Sequence, residues 1–461
     1  MKKVFLSIFV VIVLVLILPV IGDRVIQNEL DKRIDLVTSY GIEIKKNSEI
    51  IGYFTTKKHY EFLVKDADKF VKHYFKDFAN AQMPPYLSAA LGGVLIGVDF
   101  EYSNFPFSDV VEIDVYPLSL STYMQKNIKT EDEEFYKYLD GVLASKGVLY
   151  HIVYNFSNEE FNGYLKNIDG DYTLKNGYKI SLNILDAYFN GKGILIAPSR
   201  LNSTLKKFIL EVTKGNSKFA ISFEDISSSS SLENKKSFDN SVSLGRFKWY
   251  TKNVEFEDLE ADFSSLNMHF SSNTKDEKAF LSLVSSFKTF DFQQKYDALG
   301  AYGFKCNASL KELDKESLQN LKILFSRAEA QQGKKINDEI EQNLKTLLSK
   351  GLVFKIDEFS LDKFTLNKKS AVKGFEFTMN LVLKVDGDFF LKLKNNLDEL
   401  INDVTVDAKL RVSKEMILMI DDSATTEDMI KKYGKMDGDD VIYDIKFKQG
   451  VFSVNTKRVN Y

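Results

Sequence analysis

Four histidines, one cysteine and an abundance of acids are the residues of this chain that could do chemistry, and their spacing argues against most of it. His59, His73, His151 and His269 stand far apart. None has a second His or a Cys at metal-ligand spacing, and no His-Glu-x-x-His segment exists, so zinc hydrolysis has no support. His151 and His269 fall on the non-core parity of predicted strands. Tyr150, Ile152, Tyr154 and Phe156 take the inner face of the first, and Leu266, Met268 and Phe270 that of the second. Both histidines are therefore expected on a sheet surface. No Gly-x-Ser-x-Gly elbow, phosphate-cradling loop or dinucleotide fingerprint is present. Asp169-Gly-Asp171 and Asp437-Gly-Asp-Asp440 lack the ligand spacing and closing Glu of a calcium loop, so turns between strands are expected there. Acids cluster at Glu131-Asp-Glu-Glu134. A glycosidase needs two carboxyls about 5–9 Å apart, and nothing in the sequence sets such a pair. No catalytic, cofactor-binding or metal-ligating residue is assigned, and no cofactor is expected.

Cys306 is the only cysteine, so no disulfide can form within the chain. Stability must come from burial. Hydrophobic residues at 44%, with aromatics at 13%, allow a sizeable core and exclude a disordered tether. The thiol is expected to be buried. Net charge is −3, or about −5 once Lys2 and Lys3 are set aside. Basic residues are interspersed with acids and form no stripe, so nucleic acid is not an expected partner.

Strands dominate the elements that must position these residues. Phe375, Phe377, Met379, Leu381, Leu383 and Val385 alternate with mostly polar neighbours. That period of two predicts a strand with one buried face. Val404, Val406, Ala408, Leu410 and Val412 repeat it, and shorter alternations occur at Phe219/Ile221/Phe223, Phe247/Trp249 and Leu266/Met268/Phe270. One-sided alternation favours antiparallel sheets with one wet face. The fold class expected is α+β, β-dominated: a mostly antiparallel sheet or sandwich with a helical hairpin and a few short helices. The hairpin reads from Asp314 as a cap, through Leu318, Leu321, Leu324, Phe325 and Ala328, then Ile336, Ile340, Leu344, Leu347 and Leu348 to Gly351. Phe390, Leu393, Leu397, Leu400 and Ile401 predict a further helix, and residues 68–80 another through Val71, Tyr74, Phe75 and Phe78. The glycine-rich run 84–98 is too short to span a bilayer and reads as a buried element leading into a strand at Val94–Tyr102.

The amino end supplies the address. Lys2 and Lys3 precede the uncharged run Val4 to Ile21, and Asp23-Arg24 follows. Eighteen residues at about 1.5 Å each make a helix of about 27 Å, near the hydrocarbon thickness of a bilayer. The run is longer than a signal-peptide core of about 7–15 residues. The lysines favour a cytoplasmic amino end. An uncleaved signal anchor at 1–22 is expected, followed by sub-regions 23–226 and 241–461 joined by a loop at 227–240, where Ser227–Ser231 is the punctuating run.

Several segments together resemble the YdgA-like family of bacterial inner-membrane-anchored periplasmic proteins. Gly41-Ile-Glu-Ile44 and Gly52-Tyr-Phe-Thr-Thr56 are similar to its entry strands, and Asn396–Ile401 leading into Asp407–Ser413 to another characteristic stretch. Leu348–Leu366 with Gly374 resembles its helix and strand passage. The carboxyl end is similar as well. Met429–Tyr433 closes a helix at Gly434, Asp437–Asp440 turns, and Tyr443–Phe447 pairs across Gln449-Gly450 with Phe452–Asn455. Two departures stand out: Thr456-Lys457-Arg458 replaces the family's Gly-Lys-Pro, and Asn104-Phe105-Pro106 replaces its early His-Gly-Pro. The resemblance implies an inner-membrane-anchored periplasmic protein and names no reaction. The anchor, the Phe-rich alternating strands and the missing catalytic signature lead to the expectation of a single-pass protein whose periplasmic domain binds or scaffolds components of the cell envelope. The expected partners are bilayer lipid through residues 4–21, a second copy of the chain, and a lipid or envelope-protein ligand. The competing expectations are a membrane-tethered hydrolase and a cleaved, soluble periplasmic protein.

Overall fold

The computed structural model describes residues 40–459 except 53–54, 75–85, 104–108, 196, 234–236, 253–257, 276–277, 296, most of 318–350, 368 and 384–402. The expected anchor, the helix at 390–401 and most of the hairpin lie outside the described residues. Two compact units emerge, residues 1–215 with 225–230, and 216–224 with 231–461. Among the described residues no helix is long and apolar enough to cross a membrane.

The first unit is an antiparallel sheet of β1 (Ile42–Ile51), β2 (Thr55–Val64), β3 (Leu95–Ser103), β4 (Val110–Ser119), β5 (Tyr150–Asn155), β6 (Glu160–Leu165), β8 (Lys179–Ile194) and β9 (Ala197–Lys214), paired in that order. β7 (Ile168–Thr173) pairs with β8 alongside β6. Alternation decides which face is dry. Phe62, Val64, Ile96, Val98, Ile113, Val115, Ile152 and Tyr154 are buried, while most of their strand neighbours, apart from Gly97 and Tyr116, are half-exposed or exposed. Helices α1 (Ala67–Tyr74), α2 (Tyr86–Leu91), α3 (Thr122–Glu131) and α4 (Glu133–Ala144) add Phe70, Val71, Leu91, Met124, Ile128, Phe135 and Leu143 to the buried set. The acid run at 131–134 is a helix start. The Asp132 side chain accepts the Phe135 N–H at 3.0 Å and the Lys175 N–H at 2.7 Å, capping α4. Burial works to raise its pKa, but the backbone donors from Lys175 and Phe135 prevail and hold it below the usual carboxylate range.

The second unit is built from long strands: β10 (Ser217–Glu233, divided between the units), β11 (Ser237–Lys252), β12 (Leu259–Lys275), β13 (Lys278–Gln294), β14 (Asp297–Asp314), β15 (Leu352–Leu366), β16 (Val372–Leu383), β17 (Val404–Ser413) and β19 (Asp440–Lys448). From β11 to β17 each pairs antiparallel with the next, and β17 pairs with β19. β19 is flanked by β18 (Lys435–Asp437) and β20 (Val451–Val454), and β21 (Lys457–Arg458) pairs with β20. Helices α5 (Lys414–Ile420) and α6 (Ala424–Tyr433) follow β17.

Three expectations need correction. Ser227–Ser231, expected as a loop, runs inside β10. Serine tolerates a strand when its hydroxyl finds a partner, and the Ser228 and Ser203 hydroxyls bond each other across strands at 2.7 Å. Asp169–Asp171 lies within β7 and is no turn, because Asp169 accepts from Asn183 and Asp171 pairs with Lys179 on β8. The third concerns burial. Phe375, Phe377, Met379, Leu381 and Leu383 share a face as expected, yet they are half-buried, and Cys306 is half-buried with them. Other expectations hold. Asp314 caps a helix through the Ser317 N–H at 2.9 Å. Ala90, Leu91, Val94, Ile96 and Val98, in the described part of the 84–98 run, are buried. Gln449 and Gly450, at φ 51° and 72°, form the tight turn of the β19–β20 hairpin.

Candidate functional site

Among the described residues, one face of the second unit's sheet forms an extended apolar surface. Register places Val242, Leu244, Phe247 and Trp249 of β11 opposite Met268, Leu266, Phe263 and Ala261 of β12. The same face continues through Leu283, Phe287 and Phe290, then Ala308, Phe304 and Ala301, then Ile356, Phe359 and Phe364. It ends on Phe377 and Met379, Leu410 and Ala408, and Tyr443 and Ile445. Eight strands at about 4.8 Å give an apolar band about 34 Å long. Helical segments cover two parts of it. Met416, Ile417 and Met419 of α5 pack with Leu361, Phe364, Val372 and Phe375, while Ile340 and Leu347 pack with Leu281, Leu310 and Leu313. Much of the remainder is only half-buried, and Val242, Trp249, Met268 and Phe270 are 40–43% exposed. Burial pushes the Cys306 thiol, on this face, above its ordinary pKa.

The reverse face is polar. There Asp440 accepts from Lys373 Nζ and Arg411 Nη1, both at 2.6 Å, and Arg411 also holds Asp437. The Lys373 ammonium keeps the Asp440 carboxyl below its usual range against the opposing effect of burial, with Arg411 reinforcing it. The acids once compared with calcium ligands are thus an ion-pair clamp on β17.

The second arrangement lies on the outward face of the first unit, where register sets His59, Asp99, Asp114, His151, Tyr164 and Tyr188 in one row across β2–β6 and β8. Asp99 and Asp114 are directly opposite, a repulsive placement, and donors from the flanking strands offset it. His59 Nδ1 bonds Asp99 at 2.6 Å and His151 Nδ1 bonds Asp114 at 2.8 Å. Since an ionised carboxylate only accepts, each Nδ1 carries the proton. Asp99 also accepts from Lys146 Nζ at 2.6 Å and from the Tyr116 hydroxyl at 2.9 Å, while that ammonium lies 4.1 Å above the Tyr116 ring. Burial works to raise the Asp99 pKa, yet Lys146, His59 and Tyr116 together hold it below the usual range. Burial, aided by Asp99, pushes the Tyr116 phenol far above its ordinary value.

Chemically this row is a carboxylate neutraliser. The other His59 nitrogen faces Glu61 at 3.4 Å, so neither nitrogen is poised to take a proton from a nucleophile. Among the described residues no hydroxyl or thiol bonds either imidazole. His151 and His269 lie on the outward faces of β5 and β12, as expected; the side chain of His73 lies outside the described residues. Sequence reading missed the row because its members come from six strands, and only outward parity marks each one.

The comparisons with known proteins bear on the apolar sheet. Residues 198–461 match the family described as a bacterial protein of unknown function, DUF945. The chain belongs to that family. The DUF945 match takes in β11 to β21 and therefore the whole apolar band, whereas the His–Asp row lies outside it. Neither curated proteins nor solved structures gave a match. Within the DUF945 region, Asn455 has a structural job. Asn455 donates from Nδ2 to the Tyr433 and Ile442 carbonyls, both at 2.7 Å, and accepts the Asp444 N–H at 2.9 Å. One side chain thus ties α6, β19 and the last hairpin together.

Proposed function

We propose that this DUF945 protein is anchored in the bacterial inner membrane and that its exported second unit binds lipid acyl chains on the apolar face of its sheet. The observation that carries this reading is the alignment of apolar side chains across eight strands with several left 40–43% exposed. An exposed apolar surface of that extent marks an interaction site. Its length of about 34 Å exceeds the roughly 15 Å that one leaflet's chains span in a bilayer about 30 Å thick. The run at 4–21 and the YdgA-like resemblance support the address, because an anchor would hold the face near its lipid source. At His59 the row favours a binding role over hydrolysis, since both nitrogens of that imidazole face carboxylates.

The test is mass spectrometry of lipids that co-purify with the full chain in detergent. Phe270→Glu places a charge at a 40%-exposed position of the face, and Asn267→Glu places one on the reverse face of the same strand. Wild type and Asn267→Glu are expected to retain phospholipid or fatty acid, and Phe270→Glu to lose it at least tenfold. Equal lipid content in all three, or none in the wild type, overturns the reading. A shift of the wild type alone to a dimer, without lipid, would instead assign the face to a second copy of the chain.

A further inference from the structure

We propose that the outward face of β5, β6, β8 and β9 is an oligosaccharide-binding platform. Two cross-strand rows define it. Val153, Asn162, Asn190 and Asn202 are register partners in one, and His151, Tyr164, Tyr188 and Thr204 in the next. The rows are two residues apart on every strand, about 6.7 Å, and point the same way. Over the first row lies a cavity of about 500 Å³ lined by Asn158, Glu160, Asn162, Asn190, Arg200 and Asn202, among others. Ligand sites commonly measure about 300–1,000 Å³.

The lining chemistry selects the ligand. A carboxamide offers two donors and an acceptor within one small neutral group, which matches neighbouring sugar hydroxyls that both give and take hydrogen bonds. Asn202 donates to Asn190 Oδ1 at 2.9 Å, which orients the pair and leaves the Asn190 amide and the Asn202 carbonyl turned to other partners. Charge in the lining is largely neutralised, as Glu160 takes Asn158 at 3.0 Å and Lys192 at 3.7 Å. Tyr164 and Tyr188, 39% and 53% exposed, border this row. Their rings give flat apolar surfaces on which the C–H face of a pyranose can rest, with a hydroxyl at the rim.

Other ligand classes fit less well. Phosphate backbones need clustered cations, and the lining offers Lys192, already paired, and Arg200. Acyl chains need an apolar face. A peptide adding as a strand needs a free edge, and β5, β6 and β8 are paired on both sides. Most of the platform precedes residue 198, where the DUF945 match begins, so it is a feature of this chain beyond the family region.

Isothermal titration of the full chain, in a detergent without a sugar headgroup, tests it with chitotetraose and cellotetraose up to 10 mM. At least one is expected to bind with a dissociation constant on the order of 0.1–1 mM, weak as befits an open site. Tyr188→Ala and Asn190→Ala should each weaken binding about tenfold or more. Tyr123→Ala, a 40%-exposed tyrosine on α3, should leave it unchanged. Both platform side chains are exposed, so thermal melts should match the wild type and exclude misfolding. Phe270→Glu should bind sugar normally, which separates this site from the lipid face. No heat with either sugar, or undiminished binding by Tyr188→Ala, overturns the proposal.

Discussion

Asp99 is where three donors from three elements converge: His59 on β2, Tyr116 on β4 and Lys146 just beyond α4. Its folded pKa is depressed, so the stabilisation it carries is present above the unfolded value near 3.9 and is lost as pH falls through the lower folded value. Asp99→Asn should therefore cost about 1.5–3 kcal/mol near neutral pH, the range for hydrogen bonds to a charged group. The gap to wild type should close below about pH 4. Urea unfolding at pH 7 and pH 3 measures both, and a gap that widens in acid refutes this account of the row. Thr456 gives the opposite sign. It sits at φ 67° beside Asn455 at φ 48°, the two residues of the β20–β21 turn. Asn-Gly suits such a turn, and a β-branched residue there is strained. Thr456→Gly should raise unfolding stability by about 1 kcal/mol, and a loss of stability in the same assay would show that the Thr456 side chain outweighs its strain.

The strands carry a feature that simple alternation does not anticipate. Apolar residues on one face step by three instead of two at Leu244/Phe247, Phe263/Leu266, Phe287/Phe290, Ala301/Phe304, Leu361/Phe364 and Val372/Phe375. The extra residues fall opposite one another in register, along a line from Gly245 through Ser265, Lys288, Gly303 and Asp362 to Gly374. Ser265 and Gly303 have φ of 53° and 69°, left-handed positions that reverse the alternation of side chains without shifting the register. A Cβ on Gly374 would collide with the Leu361 carbonyl oxygen. Gly374→Ala should thus destabilise by about 1–3 kcal/mol. Gly141→Ala, at an exposed α4 position with open space around it, should stabilise by about 0.5–1 kcal/mol. Chemical denaturation checks the pair, and a neutral Gly374→Ala would mean the backbone along this line yields easily. The slip was in principle legible as an apolar i, i+3 step, and the alternation beyond it, at Phe375–Leu383 and on β17 at Val404–Val412, was read correctly although the burial at Phe375–Leu383 was not. Register was not legible, because pairing partners lie tens of residues apart and any outward polar residue fits many registers. That is why the His–Asp row and the Asn row were invisible in the sequence, while the Gln449-Gly450 hairpin, set by its own two residues, was plain.

For the whole molecule the decisive question is where the described units are held. Lys2 and Lys3, the run Val4–Ile21 and Asp23-Arg24 give the charge asymmetry of a single pass with the amino end inside. A cleaved signal would free both units, and an uncleaved anchor would keep them within reach of the bilayer. The two outcomes matter to the proposed chemistry in different ways. A released protein would have to carry its lipid through water, with Val242, Trp249, Met268 and Phe270 exposed whenever it was empty. An anchored one would need only to exchange with the membrane beside it, and a half-covered face suits that arrangement. The expected outcome is that the full-length chain stays in the membrane pellet after carbonate extraction, with its amino-terminal residues intact by mass spectrometry. Replacing 1–22 with a cleavable signal should move it to the soluble periplasmic fraction and leave Phe270→Glu more soluble than the otherwise unchanged released chain. Recovery of the native chain in the soluble fraction, trimmed near Gly22, would overturn the anchor and require the apolar band to be covered by a bound ligand or a second copy at all times.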